Sequence, residues 1–173
     1  MATTAPIIRM SDVFPAELIL LGLKERTRQA VVAELVDKFV CVGLVDSRNK
    51  ASLAQVIMAR ETMGSTALGK GVALPHCRTN LTDRFMGVIA IDPAGVDFRA
   101  VDLALVNILF LLVGPLDERE RYFNILQRIR GLLEDKSTRL QLVRARSPAD
   151  VVAILEEFDA AGGLTTGERA QHA

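Results

Sequence analysis

Apolar and charged residues alternate at helical spacing in the first quarter of the chain. Between residues 32 and 39 the apolar positions recur at i, i+3, i+4 and i+7, with charged residues on the other face. This pattern predicts an amphipathic helix that ends at Gly43. A second helix is predicted to begin with Asp46 or Ser47 as its N-cap and to end near Arg60.

Four further segments have the apolar runs that are typical of β-strands: residues 16–24, 71–75, 84–91 and 103–113. The last is apolar almost throughout, so we expect it to be a central strand that is covered on both faces. Residues 61–70 are predicted to form a loop, as is the stretch DPAGVDF at 92–98, which begins with Asp-Pro-Ala-Gly.

The last third of the chain is predicted to be helical. A long apolar stripe begins at Tyr122, and Asp117 and Glu120 are spaced like a capping box in front of it. A second helix is expected over residues 136–144, and a third is expected to follow the N-cap Ser147.

Helices at both ends and strands in the middle place the chain in the α/β class. Half of its 173 residues are hydrophobic, which is sufficient for a single domain with its own core. Residues 1–159 are predicted to be that domain, with the core at about 10–159. Residues 160–173 have no periodic apolar pattern and are predicted to be a flexible C-terminal tail.

Composition argues against several classes of function. Lysine plus arginine and aspartate plus glutamate both number 21, so no net field would draw the molecule to nucleic acid or to an anionic membrane. No apolar run is long enough to cross a bilayer, and the first residues do not resemble a signal peptide. The two cysteines form neither a disulfide framework nor a zinc motif. We therefore expect a cytoplasmic protein with no direct membrane insertion.

Candidate chemistry centres on His76, one of only two histidines, which follows a short apolar run. A neutral imidazole near pH 7 can act as a nucleophile, and a phosphorylated ring nitrogen is a good leaving group. A single histidine on a strand is nevertheless more often structural. Cys77 beside it suggests a Cys/His pair, but adjacent strand residues point to opposite faces. A metal site is disfavoured, because one histidine and a scattered cysteine supply too few ligands.

The loop before His76 has the residue types of an anion site. Its glycines allow close approach of the backbone, Ser65 and Thr66 add hydroxyl donors, and Arg60 adds a guanidinium. It is not a P-loop, because Gly71 stands where a Mg²⁺-binding hydroxyl is required. These residues also have ordinary interpretations: Arg60 as a partner of the carbonyls at a helix end, and the two hydroxyls as turn residues.

These residues also carry a resemblance to a known family. The segment RETMGSTALGKGVALPHCR, residues 60–78, resembles the active-site segment of the type 2 enzyme IIA domains of the bacterial phosphoenolpyruvate-dependent phosphotransferase system, the fructose, mannitol and nitrogen-related group. The segment VDFRAVDLALVNILFLLVGP, residues 96–115, is similar to a second segment of that family. The residues that match in the first segment are Arg60, Glu61, Ser65, Thr66, Leu68, Gly69, Gly71, Val72, Ala73, Leu74, Pro75 and His76.

The resemblance implies a fold and an activity. The fold is a central mixed β-sheet flanked by helices. The activity is that of a phosphocarrier: His76 would receive a phosphoryl group from the small carrier HPr and pass it to a IIB domain, or signal its phosphorylation state to a regulatory target. No metal, nucleotide or other cofactor takes part. Arg60 would neutralise the phosphoryl charge, and the ring or the phosphate would be held by Ser65, Thr66, Gly69 and Gly71.

Besides the small residues Ala67 and Cys77, which stand where glycine is common, the main departure from the family pattern is the lack of the family's second histidine. Many members carry a second histidine early in the helix after the central strand, where this chain has Tyr122 and Asn124. Both side chains can donate a hydrogen bond to phosphate, but neither becomes a cation near pH 7. Tyr122 also fits the apolar stripe of its helix, whereas Asn124 lies off that stripe.

The stand-alone domain favours nitrogen-related regulation over sugar uptake. A binding regulator of the same fold without phosphorylation and a sugar-specific enzyme IIA are the alternatives. Four arginines of the same predicted helix complete the candidate chemistry, and a run of this kind is more often a solvated face, although it would also suit an acidic partner. They are Arg119, Arg121, Arg128 and Arg130.

Overall fold

The computed structural model of the chain describes residues 8–162, which form six α-helices and six β-strands. The helices are α1 (Met10–Val13), α2 (Arg28–Cys41), α3 (Lys50–Thr62), α4 (Arg119–Glu134), α5 (Lys136–Arg144) and α6 (Pro148–Ala160). The strands are β1 (Ile19–Leu21), β2 (Ala67–Gly69), β3 (Val72–Ala73), β4 (His76–Thr79), β5 (Met86–Val96) and β6 (Val106–Pro115). The predicted α/β class is confirmed.

The central strand of the mixed sheet is β6. The strand order is β1-β5-β6-β3-β2, and β4 also pairs with β6. Strand β5 runs antiparallel to β6, whereas β3 and β4 run parallel to it. The register pairs Ala73 with Leu109 and His76 with Leu112, so β3 and β4 form one interrupted edge along β6. The predicted central strand is confirmed, although it begins at Val106 and not at residue 103.

The sheet separates two apolar cores. Helices α2 and α3 cover one face, and the predicted stripe of α2 between residues 32 and 39 is fully buried there. Helices α1, α4, α5 and α6 cover the other face, which buries the stripe of α4 that begins at Tyr122. Because alternate strand residues point to opposite faces, Leu112 belongs to the second core and Val113 to the first.

Local signals set several helix ends as predicted. Gly43 has a φ of +76° just after α2, and its N–H donates to the carbonyl of Val40. Asp46, predicted as an N-cap of the second helix, instead caps a short 3₁₀ turn at Ser47–Asn49, and α3 begins after Asn49 without a side-chain cap. Ser147 caps α6 in a complete capping box with Asp150.

The predicted capping box before α4 is wrong. The N-cap of α4 is Glu118, and no side chain caps that helix end. The carboxylate of Glu118 binds Arg121 instead, so Asp117 and Glu120 do not have the reciprocal geometry that their spacing suggested.

Three predicted loop or strand boundaries are also corrected. Residues 67–69 of the predicted loop form β2, which pairs with β3. The Asp-Pro-Ala-Gly stretch belongs to β5, where an irregular register between Ile91 and Val96 accommodates it. The first predicted strand shortens to β1 because residues 16–18 form a 3₁₀ turn.

The chain termini are described only in part. Helix α6 ends at Ala160, and the predicted tail lies outside the described residues from 163 onward, so its flexibility and the domain limit at 159 stay predictions. Within residues 8–162, none of the helices is both long and apolar enough to span a membrane.

Candidate functional site

His76 is the first residue of β4, at the end of the sheet where β6 leads into α4. Its neighbour Cys77 is 6% exposed and packs into the core under α2 and α3. Burial raises the pKa of Cys77 to about 12. A protonated thiol in that core does not form a nucleophilic pair with His76, as the alternation of strand side chains predicted.

One hydrogen bond fixes the ring of His76. Its Nδ1 lies 2.6 Å from the carbonyl oxygen of Leu74. A carbonyl oxygen can only accept, so Nδ1 carries the ring proton and Nε2 carries the lone pair of the neutral ring. The backbone just before β4 therefore selects which nitrogen of His76 can act as a nucleophile.

Burial is the main reason why the pKa of His76 is lowered from its ordinary value. The guanidinium groups of Arg60 and Arg130 lower this pKa further, whereas the bond to Leu74 and the carboxylate of Glu61 act in the opposite sense. The imidazole is therefore neutral at pH 7, and its Nε2 lone pair is available for bond formation.

Tyr122 from α4 lies beside His76. The two ring centroids are 6.2 Å apart with the ring planes tilted by 53°, and the guanidinium carbon of Arg78 lies 5.8 Å from the centroid of the Tyr122 ring. Tyr122 is 4% exposed. Every fully buried side-chain oxygen among residues 8–162 has a hydrogen-bond partner. The Tyr122 hydroxyl has no partner among those residues, so it is not fully buried and reaches solvent. Burial raises the pKa of Tyr122, which leaves it a neutral donor.

Asn124 does not share this position. It is exposed and lies two residues after Tyr122, which places it about 200° around the axis of α4. Of the two residues that the sequence offered as replacements for a second histidine, the structure brings Tyr122 to His76 and leaves Asn124 on another side of the helix.

Arg60 combines an ordinary role with a role at the site. It lies in the last turn of α3, and its Nη1 donates a 3.1 Å hydrogen bond to the carbonyl of Gly64. This bond satisfies a backbone acceptor just beyond the helix end, as the ordinary interpretation proposed. Its charge also acts on His76, and among the described residues Arg60 forms no ion pair with a carboxylate.

The two hydroxyls of the loop are bonded within the protein. Thr66 donates to the carboxylate of Glu61 from its backbone N, at 2.9 Å, and from its hydroxyl, at 2.6 Å. Glu61 is 1% exposed, and Arg28 lies 3.7 Å from it. The Ser65 hydroxyl donates to the carbonyl of Phe98 at 3.1 Å. Both hydroxyls thus hold the loop that follows Arg60 in place.

Gly69 and Gly71 belong to a different part of the molecule. They flank Lys70 in the β2–β3 turn, and all three residues have positive φ. The carbonyl of Gly71 accepts from the backbone N of Ile108, whereas His76 pairs with Leu112. Ile108 and Leu112 are four residues apart on β6, which corresponds to roughly 13 Å along the strand. The structure therefore does not bring the two glycines to His76, although they are close to it in sequence.

The arginines of α4 fall into two groups. Three of them contact other parts of the chain: Arg119 lies over the Phe123 ring, Arg121 pairs with Glu118, and Arg128 pairs with Asp159. The fourth, Arg130, is exposed and adds its positive charge to the field at His76. The sequence showed Arg130 only as one member of a basic run.

Comparison with known proteins identifies relatives over most of the chain. The family model described as "Phosphoenolpyruvate-dependent sugar phosphotransferase system, EIIA 2" matches residues 12–158. A nitrogen regulatory protein of Bradyrhizobium diazoefficiens is 28% identical over 146 residues, which cover 84% of this chain and 94% of that protein. A PTS system fructose-specific EIIA component of Haloferax volcanii is 29% identical over 148 residues, which cover 86% and 95% of the two chains.

Two solved structures share the fold. Nitrogen regulatory protein IIA-Ntr from Neisseria meningitidis has a TM-score of 0.76 and 27% identity, covering 84% of this chain and 97% of that chain. The structure of enzyme IIA mannitol in complex with phosphorylated enzyme IIB mannitol, from Escherichia coli, has a TM-score of 0.69 and 22% identity, covering 83% and 99%. The second likeness, at 22% identity, shows the fold alone.

Proposed function

Since the chain belongs to the EIIA 2 family of the phosphoenolpyruvate-dependent sugar phosphotransferase system, we propose that it is a phosphocarrier whose phosphoryl acceptor is His76. The observation that carries the proposal is the bond from Nδ1 to the Leu74 carbonyl, which leaves Nε2 as the nucleophilic nitrogen. Two guanidinium groups act on the same ring. A neutral imidazole beside positive charge suits an acceptor of an anionic group.

In the proposed step, the Nε2 lone pair of His76 attacks the phosphorus of a phosphohistidine on the donor protein. A new N–P bond forms as the donor's N–P bond breaks, and the donor imidazole keeps the electron pair of the broken bond. His76 releases no proton, because Nδ1–H stays on the Leu74 carbonyl. Arg60 stabilises the negative charge of the phosphoryl group during the transfer.

The remaining candidate residues have supporting roles in this proposal. The Tyr122 hydroxyl donates a hydrogen bond to the phosphoryl group from its position beside the ring. Ser65 and Thr66 hold the loop that follows Arg60, through Phe98 and Glu61 respectively. Gly69 and Gly71 shape the distant β2–β3 turn and take no part in phosphate binding.

We propose an HPr-like protein as the donor and a IIB domain or a regulatory target as the recipient, all in the cytoplasm. A IIB partner is supported by the Escherichia coli relative, which is described in complex with phosphorylated IIB. A nitrogen-related regulatory role is supported by the TM-score of 0.76 to the Neisseria protein, against 0.69 to the mannitol enzyme. Sugar transport is the second candidate, because the fructose-specific relative is 29% identical and the regulatory one 28%.

The acceptor role is tested by incubating the protein with phosphoenolpyruvate, enzyme I and HPr. We expect intact-mass spectrometry to show one added phosphoryl group that is labile in acid and stable in alkali. The variant His76→Gln should gain none. His172→Gln is the matched control, because it removes the only other histidine of the chain, and it should be phosphorylated like the unaltered protein. The proposal is wrong if the unaltered protein gains no group or if His76→Gln still gains one.

The recipient is tested separately with the isolated phosphorylated protein. A purified fructose-specific IIB domain is added, and the loss of the phosphoryl group is followed with time. A regulatory carrier is expected to keep its group for much longer than a fructose-specific enzyme IIA assayed in parallel. Loss at the rate of that enzyme would instead favour sugar transport.

A further inference from the structure

The proposed function leaves one cation of α4 without a role. Arg130 is exposed, and within the part of the chain that the structure describes it forms no ion pair. The next arginine along the helix towards its start, Arg128, pairs with Asp159 at 2.7 Å. An arginine that the fold does not use is available to a group that comes from outside the chain.

The course of α4 brings Arg130 towards the site. Tyr122, at the start of the helix, lies so close to Gly114 at the end of β6 that a Cβ on this glycine would be 3.1 Å from the tyrosine ring. Glu134, at the helix end, lies 3.5 Å from Lys70, which precedes β3 at the other end of the sheet. Helix α4 therefore runs antiparallel to β6 and passes alongside the edge that carries His76.

The direction of helical side chains sets where the guanidinium of Arg130 lies. Arg130 comes eight residues after Tyr122, so its Cα is about 12 Å further along the axis. The Cα–Cβ bonds of a helix tilt towards its N-terminus, which is the end of α4 at His76. The stem of Arg130 is therefore directed along α4 towards the His76 end, in agreement with the charge that Arg130 contributes at the His76 ring.

We propose that Arg130 is a second phosphoryl-binding guanidinium, which approaches the group on His76 from α4 while Arg60 approaches it from α3. This inference rests on the proposed function of His76. A phosphoryl group offers three acceptor oxygens and about two negative charges, so two guanidiniums on separate elements can bind different oxygens. The planar guanidinium of an arginine can bind phosphate oxygens through two N–H groups at once.

The ionisable groups that act at His76 come from each element packed around it. Arg60 and Glu61 of α3 and Arg130 of α4 act on His76 itself, whereas Cys77 and Arg78 of β4 act on the neighbouring Tyr122 of α4. Arg78 is already held by two contacts at the site: its Nη1 donates to the carbonyl of Leu116 at 2.8 Å, and its guanidinium lies over the Tyr122 ring. The positive charges of Arg60 and Arg130 both lower the pKa of His76.

The inference is tested with Arg130→Gln and with the matched control Arg119→Gln, which removes a cation of the same helix that lies over Phe123. We expect phosphoryl transfer from phosphorylated HPr to slow about tenfold in Arg130→Gln. Arg119→Gln should behave like the unaltered protein, and Arg130→Lys should recover part of the rate because it keeps the charge.

A titration of His76 by NMR in the unphosphorylated protein provides a readout that a purely structural role would not change. The His76 pKa should rise in Arg130→Gln, because a nearby positive charge has been removed, and should stay the same in Arg119→Gln. Thermal unfolding of both variants should match that of the unaltered protein.

The outcomes separate the two proposals. If the unaltered protein is phosphorylated on His76 and Arg130→Gln is phosphorylated at the same rate with the same His76 pKa, the role of Arg130 is wrong and the phosphocarrier proposal stands. If the unaltered protein is not phosphorylated at all, the phosphocarrier proposal is wrong and the role of Arg130 in phosphoryl binding is wrong with it.

Discussion

Charged side chains near the two ends of β6 differ in whether the chain itself supplies their partners. Near the start of the strand, the buried carboxylate of Asp92 is matched by groups of the chain itself: it accepts from the backbone N of Leu23 and of Ala94, both at 2.9 Å, and from Arg26 at 2.8 Å. Near the end of the strand, Arg60 and Arg130 act on His76 without a carboxylate partner among the described residues.

The difference follows from the cost of desolvating charge. Asp92 is 3% exposed, and an ionised carboxylate at such a position is stable only when its hydrogen bonds are satisfied. Burial acts to raise the pKa of Asp92, but the bonds from Leu23, Arg26 and Ala94 outweigh this and lower it. The charge of Asp92 is thus neutralised by partners within the chain. The guanidiniums of Arg60 and Arg130 have no carboxylate partner among the described residues, so they are available to an anion that binds near His76.

Removing the carboxylate of Asp92 is expected to have the largest effect, and this effect is on stability. Asp92→Ala leaves two backbone N–H groups and Arg26 without their acceptor, so we expect the free energy of unfolding to fall by about 3 kcal/mol. The measurement is urea denaturation followed by circular dichroism. Phosphorylation of the folded protein should be unchanged, because Asp92 lies at the other end of β6.

Asp83→Ala is the control for this variant, since Asp83 is exposed and meets Arg84 only at 3.6 Å. Its unfolding free energy should change by less than about 0.5 kcal/mol. Equal loss of stability in both variants would contradict the contrast between the two ends, as would loss of phosphorylation in folded Asp92→Ala.

Removing the tyrosine hydroxyl at the site is expected to have a smaller effect and of a different kind. In Tyr122→Phe the ring that packs beside His76 is kept, and the hydroxyl that is lost has no partner among residues 8–162. Stability should therefore change little, while the transfer rate should fall about fivefold, the equivalent of about 1 kcal/mol of hydrogen bonding to the phosphoryl group. Stopped-flow or quench-flow phosphorylation measures this rate.

An unchanged rate in Tyr122→Phe would show that the hydroxyl takes no part and that Tyr122 serves only as a packing residue. Asn124→Ala is the matched control, because Asn124 is exposed on another side of α4. Its transfer rate should equal that of the unaltered protein.

The smallest expected effect is a dependence of stability on pH that arises at the site. The pKa of His76 is lowered in the folded protein from an ordinary value of 6.5. The unfolded chain therefore binds the proton more readily, so this contribution to stability is fully present above pH 6.5 and is lost as the pH falls through 6.5 towards the folded pKa.

Urea denaturation at pH 7.5 and at pH 5.5 should show this loss in the unaltered protein and a weaker one in His76→Gln. Carboxylates such as Asp92, whose pKa is lowered, add to the pH dependence of stability only at more acidic pH. The same pH dependence in both proteins would contradict a lowered His76 pKa.

The sequence predicted the elements of the fold better than their arrangement. The period of apolar residues identified α2, α4 and α6, because packing against a core imposes that period directly. Strand order and register depend on long-range pairing, which local patterns do not encode. The β2 strand was missed for this reason, since its three residues are held by pairing with β3 and not by an apolar run of their own.

The same limit applies to the arrangement of the candidate site. His76 and Arg60 were identified from one continuous segment, and α3 and β4 do bring them together. Gly69 and Gly71 were assigned to the site from the resemblance, but an extended chain carries each residue about 3.3 Å further away, and the structure has them in the β2–β3 turn. Arg130 is distant in sequence and reaches the site only because α4 returns along β6, which no local motif could show.

The position of Cys77 has a consequence for oxidative chemistry. Oxidants and alkylating agents react with the thiolate, and a thiol whose pKa is raised to about 12 has almost none at neutral pH. The alternation of β4 that separates this sulfur from His76 also buries it in the core under α2 and α3. The chemistry that we propose for His76 is therefore separated from thiol oxidation at Cys77, even though this cysteine is its nearest neighbour in the chain.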